Sequence, residues 1–246
     1  MLGKVKSVIP MYMGRLRFKG NKKYLSIYSM LIEAEGGYLL YDAGLHTLFY
    51  TDPDKIMGDL SCFIQVETEK ELCIESQLKK HGLNTSDIYA VICSHLHFDH
   101  CGGIHAFKAD HTKILVQKKE YEAALQTKRN FEYNSQLYVP MESRISFLEG
   151  EEDYFRNESI KIIYTPGHSR GHQSLLLKGD RYKLLLAGDA AYTTEQFRTK
   201  RTGVFSYDKS LETKSLDLLH TYLDEDTTLL CGHDQEVIRN DRMIRL

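Results

Sequence analysis

Proline occurs only four times in 246 residues, and no stretch rich in Gly, Ser or Pro interrupts the chain. Nothing is therefore available to serve as a linker, and one domain spanning 1–246 is expected. Five cysteines, Cys62, Cys73, Cys93, Cys101 and Cys231, form an odd set with no paired spacing. That disfavours a disulfide framework and points to a reducing cytoplasm. The N-terminal stretch lacks the apolar core of a secretory signal, and no run approaches the roughly 20 apolar residues of a membrane helix. Charge is nearly balanced at −2, with lysines scattered in short clusters such as Lys22-Lys23 and Lys79-Lys80. Without a basic stripe, a nucleic-acid partner is not expected, and neither is a membrane. A small-molecule substrate suits the composition best.

Short runs rich in β-branched and aromatic residues, bounded by Gly, Asp or Pro, mark strands. They fall at 26–33, 38–41, 90–93, 113–117, 160–164, 173–177, 182–187 and 227–231, the first two joined as a hairpin through Glu35-Gly36-Gly37. Helices are expected at 69–81, closed by Gly82, and at 118–127. A third is expected at 210–223, where Leu216, Leu219 and Leu223 recur on one face. The polar, weakly periodic segment 129–153 reads as an irregular excursion over a site. Together these elements give a mixed α/β (α+β) domain, two sheets flanked by helices.

The densest chemistry lies in His95-Leu96-His97-Phe98-Asp99-His100, which puts three imidazoles and a carboxylate into six positions directly after a strand. On a rigid element these side chains could not all converge; on a loop leaving a strand end they can. Imidazole and carboxylate suit zinc and other borderline first-row metals. Four donors exceed what one tetrahedral ion takes from one short segment, so two ions are expected. Further donors follow apolar runs and are each preceded by glycine: His168 after Gly167, Asp189 after Gly188 and His233 after Gly232. Glycine there allows a sharp turn and a close approach of the backbone to a metal. The seven donors give each of two ions three terminal ligands if Asp189 bridges them.

In order and spacing, these donors resemble the metallo-β-lactamase-fold hydrolases, and the resemblance covers essentially the whole chain. It implies a four-layer αβ/βα sandwich, with His95, His97 and His168 on one ion and Asp99, His100 and His233 on the other. Asp189 would bridge. Asp42, in Leu40-Tyr41-Asp42-Ala43-Gly44, matches the family's aspartate that orients a ligand histidine. A histidine at 97 rather than an acid is unlike the redox di-iron members, and no cysteine replaces a ligand as in some lactamases.

Asp189-Ala190-Ala191-Tyr192, together with the segment 165–174 around His168 and the run 120–125, is similar to the quorum-quenching N-acyl-homoserine lactonases of this superfamily. The implied reaction is opening of the lactone ring to the N-acyl-homoserine by a hydroxide shared between two divalent ions, which acidify water. Zinc is the foremost candidate, with cobalt, manganese and iron also accepted. Tyr192 would donate a hydrogen bond to the developing oxyanion, and Asp99 would carry the proton to the leaving alkoxide. An acyl chain needs an apolar wall, for which Phe98, Phe63 and the stretch Phe205-Ser206-Tyr207 are candidates, with Met11 and Met13 closing the cleft. The alternative is a related hydrolase acting on another lactone or on a thioester, as in the glyoxalase II-like members. Those usually add a C-terminal helical region, which is not expected beyond His233. The protein is expected to be a monomer or a homodimer. His172 is read as a hydrogen-bonding loop residue, Cys101 as a small packed side chain, and His46, His81, His105, His111 and His220 as lying outside the site.

Overall fold

The computed structural model describes residues 2–126, 133–151, 154–156, 158–235 and 243–246. Within them the chain runs β1 (Val5–Phe18), β2 (Leu25–Ala34), β3 (Gly37–Tyr41), α1 (Pro53–Met57), β4 (Ile64–Glu67), α2 (Ile74–Lys80), β5 (Ile88–Ile92) and α3 (Phe98–Cys101). It continues with β6 (Lys113–Gln117), α4 (Lys118–Gln126), α5 (Ser135–Tyr138), β7 (Ile145–Leu148), β8 (Ile160–Tyr164), β9 (Gln173–Lys178) and β10 (Lys183–Gly188). Last come α6 (Thr194–Thr199), α7 (Lys209–His220), β11 (Thr227–Cys231) and β12 (Ile244–Arg245).

The larger sheet has the order β12-β1-β2-β3-β5-β6-β7, with β4 paired to β1, and the smaller has the order β11-β10-β9-β8. Strands β3, β5, β6 and β7 run parallel, so their C-terminal ends share one edge. Side chains alternate between two faces of a strand, and here both faces are apolar because both are covered. In the larger sheet Ile32, Leu39, Ile92 and Leu115 point inward to meet Ile162, Leu175, Leu177 and Leu186 of the smaller sheet. The alternate residues Leu31, Leu40, Val91 and Val116 turn to the other side and pack among Leu78, Ile104 and Tyr138. On the outer face of the smaller sheet, Ile163, Leu176 and Leu185 meet Phe197, Leu216 and Leu219 of α6 and α7. Helix, sheet, sheet, helix: this is the four-layer αβ/βα sandwich.

Several local expectations hold for the reasons given. The hairpin pairs Ala34 with Gly37, and Gly36 takes a φ of 87° that its turn requires. Helix α7 starts where the Asp208 carboxylate accepts from the N–H groups of Ser210 and Leu211. Others need correction. The helix expected at 69–81 is divided: Lys70–Leu72 forms a 3-10 turn, Cys73 is extended, and only then does α2 begin. Within 129–153, residues 129–132, 152 and 153 lie outside the described residues, as does Thr127. The remainder is not irregular, because α5, the 3-10 segment Val139–Arg144 and β7 give it order, and β7 extends the larger sheet beside β6. Among the described residues no helix is long and apolar enough to cross a membrane.

Candidate metal centre

Each donor leaves the C-terminal end of a strand on one rim of the sandwich. Beyond β5 the loop carries His95 and His97 into the single turn α3, which holds Asp99 and His100. His168 lies just past β8, Asp189 directly after β10, His233 just past β11, and Asp42 directly after β3. Glycine is needed at these junctions partly for the turn that was expected, since Gly167 and Gly188 take φ of 140° and 55°, and partly for space. A Cβ on Gly232 would lie 2.1 Å from Oδ1 of Asp189, and one on Gly188, whose φ is 55°, would lie 2.6 Å from the Tyr41 hydroxyl. Protein atoms, packed around the donors, occupy the space that a side chain would need.

The donors converge. His95 Nε2 lies 2.8 Å from His97 Nδ1, and His168 Nε2 lies 3.2 Å and 3.1 Å from these two atoms. Beside this tripod, His100 Nε2 is 3.5 Å from Asp189 Oδ1 and 3.7 Å from Asp99 Oδ2. His233 Nε2 is 3.1 Å from Asp189 Oδ2 and 3.8 Å from Asp99 Oδ2. Asp189 Oδ2 also stands 3.4 Å from His168 Nε2, so this carboxylate spans both halves. All seven side chains are buried.

Charge follows the same division. Burial together with its neighbouring imidazoles pushes His95 and His97 well below the usual histidine range, and burial takes His168 to about 4. Burial also disfavours charge on His100 and His233, but the carboxylates of Asp189 and Asp99 outweigh it and raise both. Asp189 is likewise opposed by burial, yet His233 and His100 hold it well below the carboxylate range. Burial raises Asp99.

These residues fit divalent metal ions. Three nitrogens pointing at one another cannot all be satisfied by shared protons, whereas an ion satisfies them together. A tetrahedral ion with bonds of about 2.0–2.1 Å to nitrogen spaces its ligands at about 3.4 Å, close to the separations observed. Among the described residues, His100 Nε2 and Asp189 Oδ1 are buried without a hydrogen-bond partner, a state that a ligand role explains. The outward-facing ring nitrogens are held by protein: His100 Nδ1 donates to Asp42 Oδ2 at 2.8 Å and His233 Nδ1 donates to the Ser26 carbonyl at 2.8 Å. Ser94 Oγ meets His95 Nδ1 at 2.8 Å. Such partners fix the tautomer and aim the other nitrogen inward.

A cavity of about 260 Å³ opens onto these donors. Leu16, Phe18, Leu25, Leu60, Phe63, Ile64, Phe98 and Phe205 form its apolar wall, and His97, Asp99, His168, Asp189, Tyr192 and His233 its floor. The Tyr192 hydroxyl lies 3.4 Å from His168 Nδ1.

Residues 24–233 match the family model described as the metallo-beta-lactamase superfamily. The chain belongs to this superfamily. Within it, the chain falls among N-acyl homoserine lactonases. It is 33% identical over 221 residues to the N-acyl homoserine lactonase of Bacillus cereus, covering 88% of this chain and 84% of the relative. It is also 33% identical over 220 residues to the N-acyl homoserine lactonase AttM of Rhizobium radiobacter, covering 85% and 82%. Among solved structures it is similar to an N-acyl homoserine lactone hydrolase with the product N-hexanoyl-L-homoserine bound at the catalytic metal centre. That match has a TM-score of 0.82 and 30% identity, covering 96% of each chain. A mutant of Bacillus thuringiensis AiiA with N-decanoyl-L-homoserine at the active site aligns with a TM-score of 0.82 and 29% identity, also covering 96% of each chain.

The fold brings the seven expected donors, Asp42 and Tyr192 together. Phe98 and Phe63 line the cavity. Tyr207 does not: the Arg170 guanidinium covers its ring at 4.7 Å, and it faces a separate groove with Lys119 and Tyr164. Its neighbour Phe205 takes the place in the cavity instead. Met11 and Met13 do not close the cleft, because both point from β1 into the buried core beneath the larger sheet. His172 acts as a hydrogen-bonding residue, accepting from the Asp189 backbone N–H at 3.0 Å and meeting Thr165 Oγ1 at 2.8 Å. Cys101 is buried, with its thiol donating to the Leu96 carbonyl. Sequence reasoning missed the aliphatic half of the wall, contributed by β1, β2, β4 and the 3-10 segment Gly58–Cys62, and it missed the role of Glu120, whose burial had no local signal.

Proposed function

We propose that this chain is a metal-dependent lactone hydrolase that opens N-acyl homoserine lactones to N-acyl homoserines. One observation carries this reading: an apolar wall of the kind that suits an acyl chain ends on a floor of metal donors and a phenol. The lactonase relatives support the same chemistry. In this reading His95, His97 and His168 would hold one divalent ion and Asp99, His100 and His233 a second, with Asp189 available to both. Zinc suits this nitrogen-rich tripod best. The ions, when bound, supply Lewis acidity and acidify water to near neutral pH.

The chain's own groups do the rest. The apolar wall takes up the acyl chain and excludes water around it. Tyr192, on the cavity floor, donates a hydrogen bond to the carbonyl oxygen as charge develops there. Asp99 faces both the donors and the cavity: it takes a proton released by the attacking water as the new carbon–oxygen bond forms, and hands it to the ring oxygen as the acyl–oxygen bond breaks. Residues 1–246 serve as one domain in this reading, acting as a monomer or homodimer. All five cysteines are free, which suits a reducing cytoplasm.

Hydrolysis in heavy-oxygen water, followed by mass spectrometry of the fragments, tests the route. Acyl–oxygen cleavage places the label in the new carboxylate. Label in the new hydroxyl would rule this mechanism out.

A further inference from the structure

Glu120 stands in the first turn of α4 and is fully buried, an unusual place for a glutamate. Its Oε1 accepts from the Leu96 backbone N–H at 3.0 Å and from the Tyr133 hydroxyl at 2.9 Å. Its Oε2 accepts from the Ser169 hydroxyl at 2.7 Å and from the Gly171 backbone N–H at 2.8 Å. One carboxylate thus gathers four donors, two on each oxygen.

The donors are not scattered. Leu96 lies between His95 and His97, and Ser169 directly follows His168. Tyr133 pairs with His97 in an isolated antiparallel bridge and sets its ring edge-on to that imidazole, 4.9 Å between centroids. Every segment that carries a nitrogen of the tripod is therefore tied to one anion that is not itself a member of the tripod. The approach is close: a Cβ on Gly171 would lie 2.3 Å from the Glu120 backbone nitrogen. Hydrogen bonds to an ionised acceptor are stronger than neutral ones, so the tie is stiff.

We infer that Glu120 is a positioning residue that clamps the His95–His97 loop to the His168 loop and sets the spacing of the tripod before an ion arrives. This deepens the metal-centre reading and rests on it, independently of which lactone is the substrate. Glutamine shows what the clamp needs. Its amide has one accepting and one donating end, so in either orientation a backbone N–H, that of Leu96 or of Gly171, faces another donor. Those two N–H groups cannot rotate away, as the hydroxyls can.

The test is a cobalt(II) titration of the metal-free whole chain, followed by visible absorption, with circular dichroism to report the fold. The wild type is expected to fill in two steps. Glu120→Gln is expected to weaken one step by roughly ten- to a hundredfold, the range for outer partners of metal ligands, and to shift that step's absorption band. The other step should keep its affinity and band. Ser169→Ala removes a single donor, should weaken the same step by less, and decides the matter if Glu120→Gln does not fold. Folded variants in which both steps weaken alike, or neither does, would overturn the inference. A wild type that binds no cobalt would remove the metal-centre reading itself, before any variant is compared.

Discussion

The hydroxyl of Tyr192 lies 3.4 Å from Nδ1 of His168, so one phenol touches the outward side of a tripod imidazole while it also faces the apolar cavity. Tyr192→Phe removes the hydroxyl and keeps the ring that packs against His168 and His233. Turnover should fall by roughly ten- to a thousandfold, up to the range for an oxyanion donor, with metal content unchanged. Steady-state kinetics with metal analysis check this, and wild-type kcat would remove Tyr192 from the mechanism.

Asp42 accepts from the Ser94 backbone N–H at 2.6 Å, from its hydroxyl at 2.9 Å and from His100 Nδ1 at 2.8 Å. It orients His100 while holding the loop at the end of β5. Asp42→Ala should lower affinity for the ion at His100 by roughly ten- to a hundredfold. Equilibrium competition against a chromogenic chelator measures the loss.

His172 is buried and neutral, held by Thr165 and by the Asp189 N–H, and burial lowers it to about 3. A histidine depressed in the folded state binds fewer protons there than when unfolded. Its contribution is complete above the unfolded value near 6.5 and is lost as pH falls toward the folded value. Metal-free protein should therefore lose stability between pH 6.5 and about 3, with this residue supplying about 1.4 kcal/mol per pH unit. Urea midpoints across that window should show a slope that flattens in His172→Gln. An equal slope in the variant would assign the effect to other groups.

Phe205 stacks on Phe18, ring centroids 5.1 Å apart, at the cavity wall. Phe205→Ala should raise KM for a decanoyl substrate by on the order of tenfold and leave a butanoyl substrate nearly untouched. Equal changes for both would place the acyl chain elsewhere.

How much of this was legible in the sequence depended on whether a signal was local. The leucine-rich runs of β9 and β10 declared themselves, because strands covered on both faces must be apolar throughout. The ligands were legible for a related reason: each follows a strand and a glycine, and strand ends on one rim converge. β1 was not, since Pro10 and Gly14 interrupt it and its pairing with β2 shifts register between Tyr12 and Gly14. β4 and β7 are edge strands of four residues, too short to show a period. Which of Phe205 and Tyr207 faces the cavity could not be read off, because an irregular loop has no period to consult. Glu120 looks like any helix-surface glutamate until α4 meets loops from two distant parts of the chain.

The most direct measurement is pH-stat acid release by the zinc-loaded protein on N-acyl homoserine lactones of several chain lengths. A glutathione thioester and a phosphodiester serve as controls. Rapid release from the lactones alone, strengthening with acyl length, is the predicted result. Two bound ions with no release from any lactone, or faster release from the thioester, would contradict the lactonase reading.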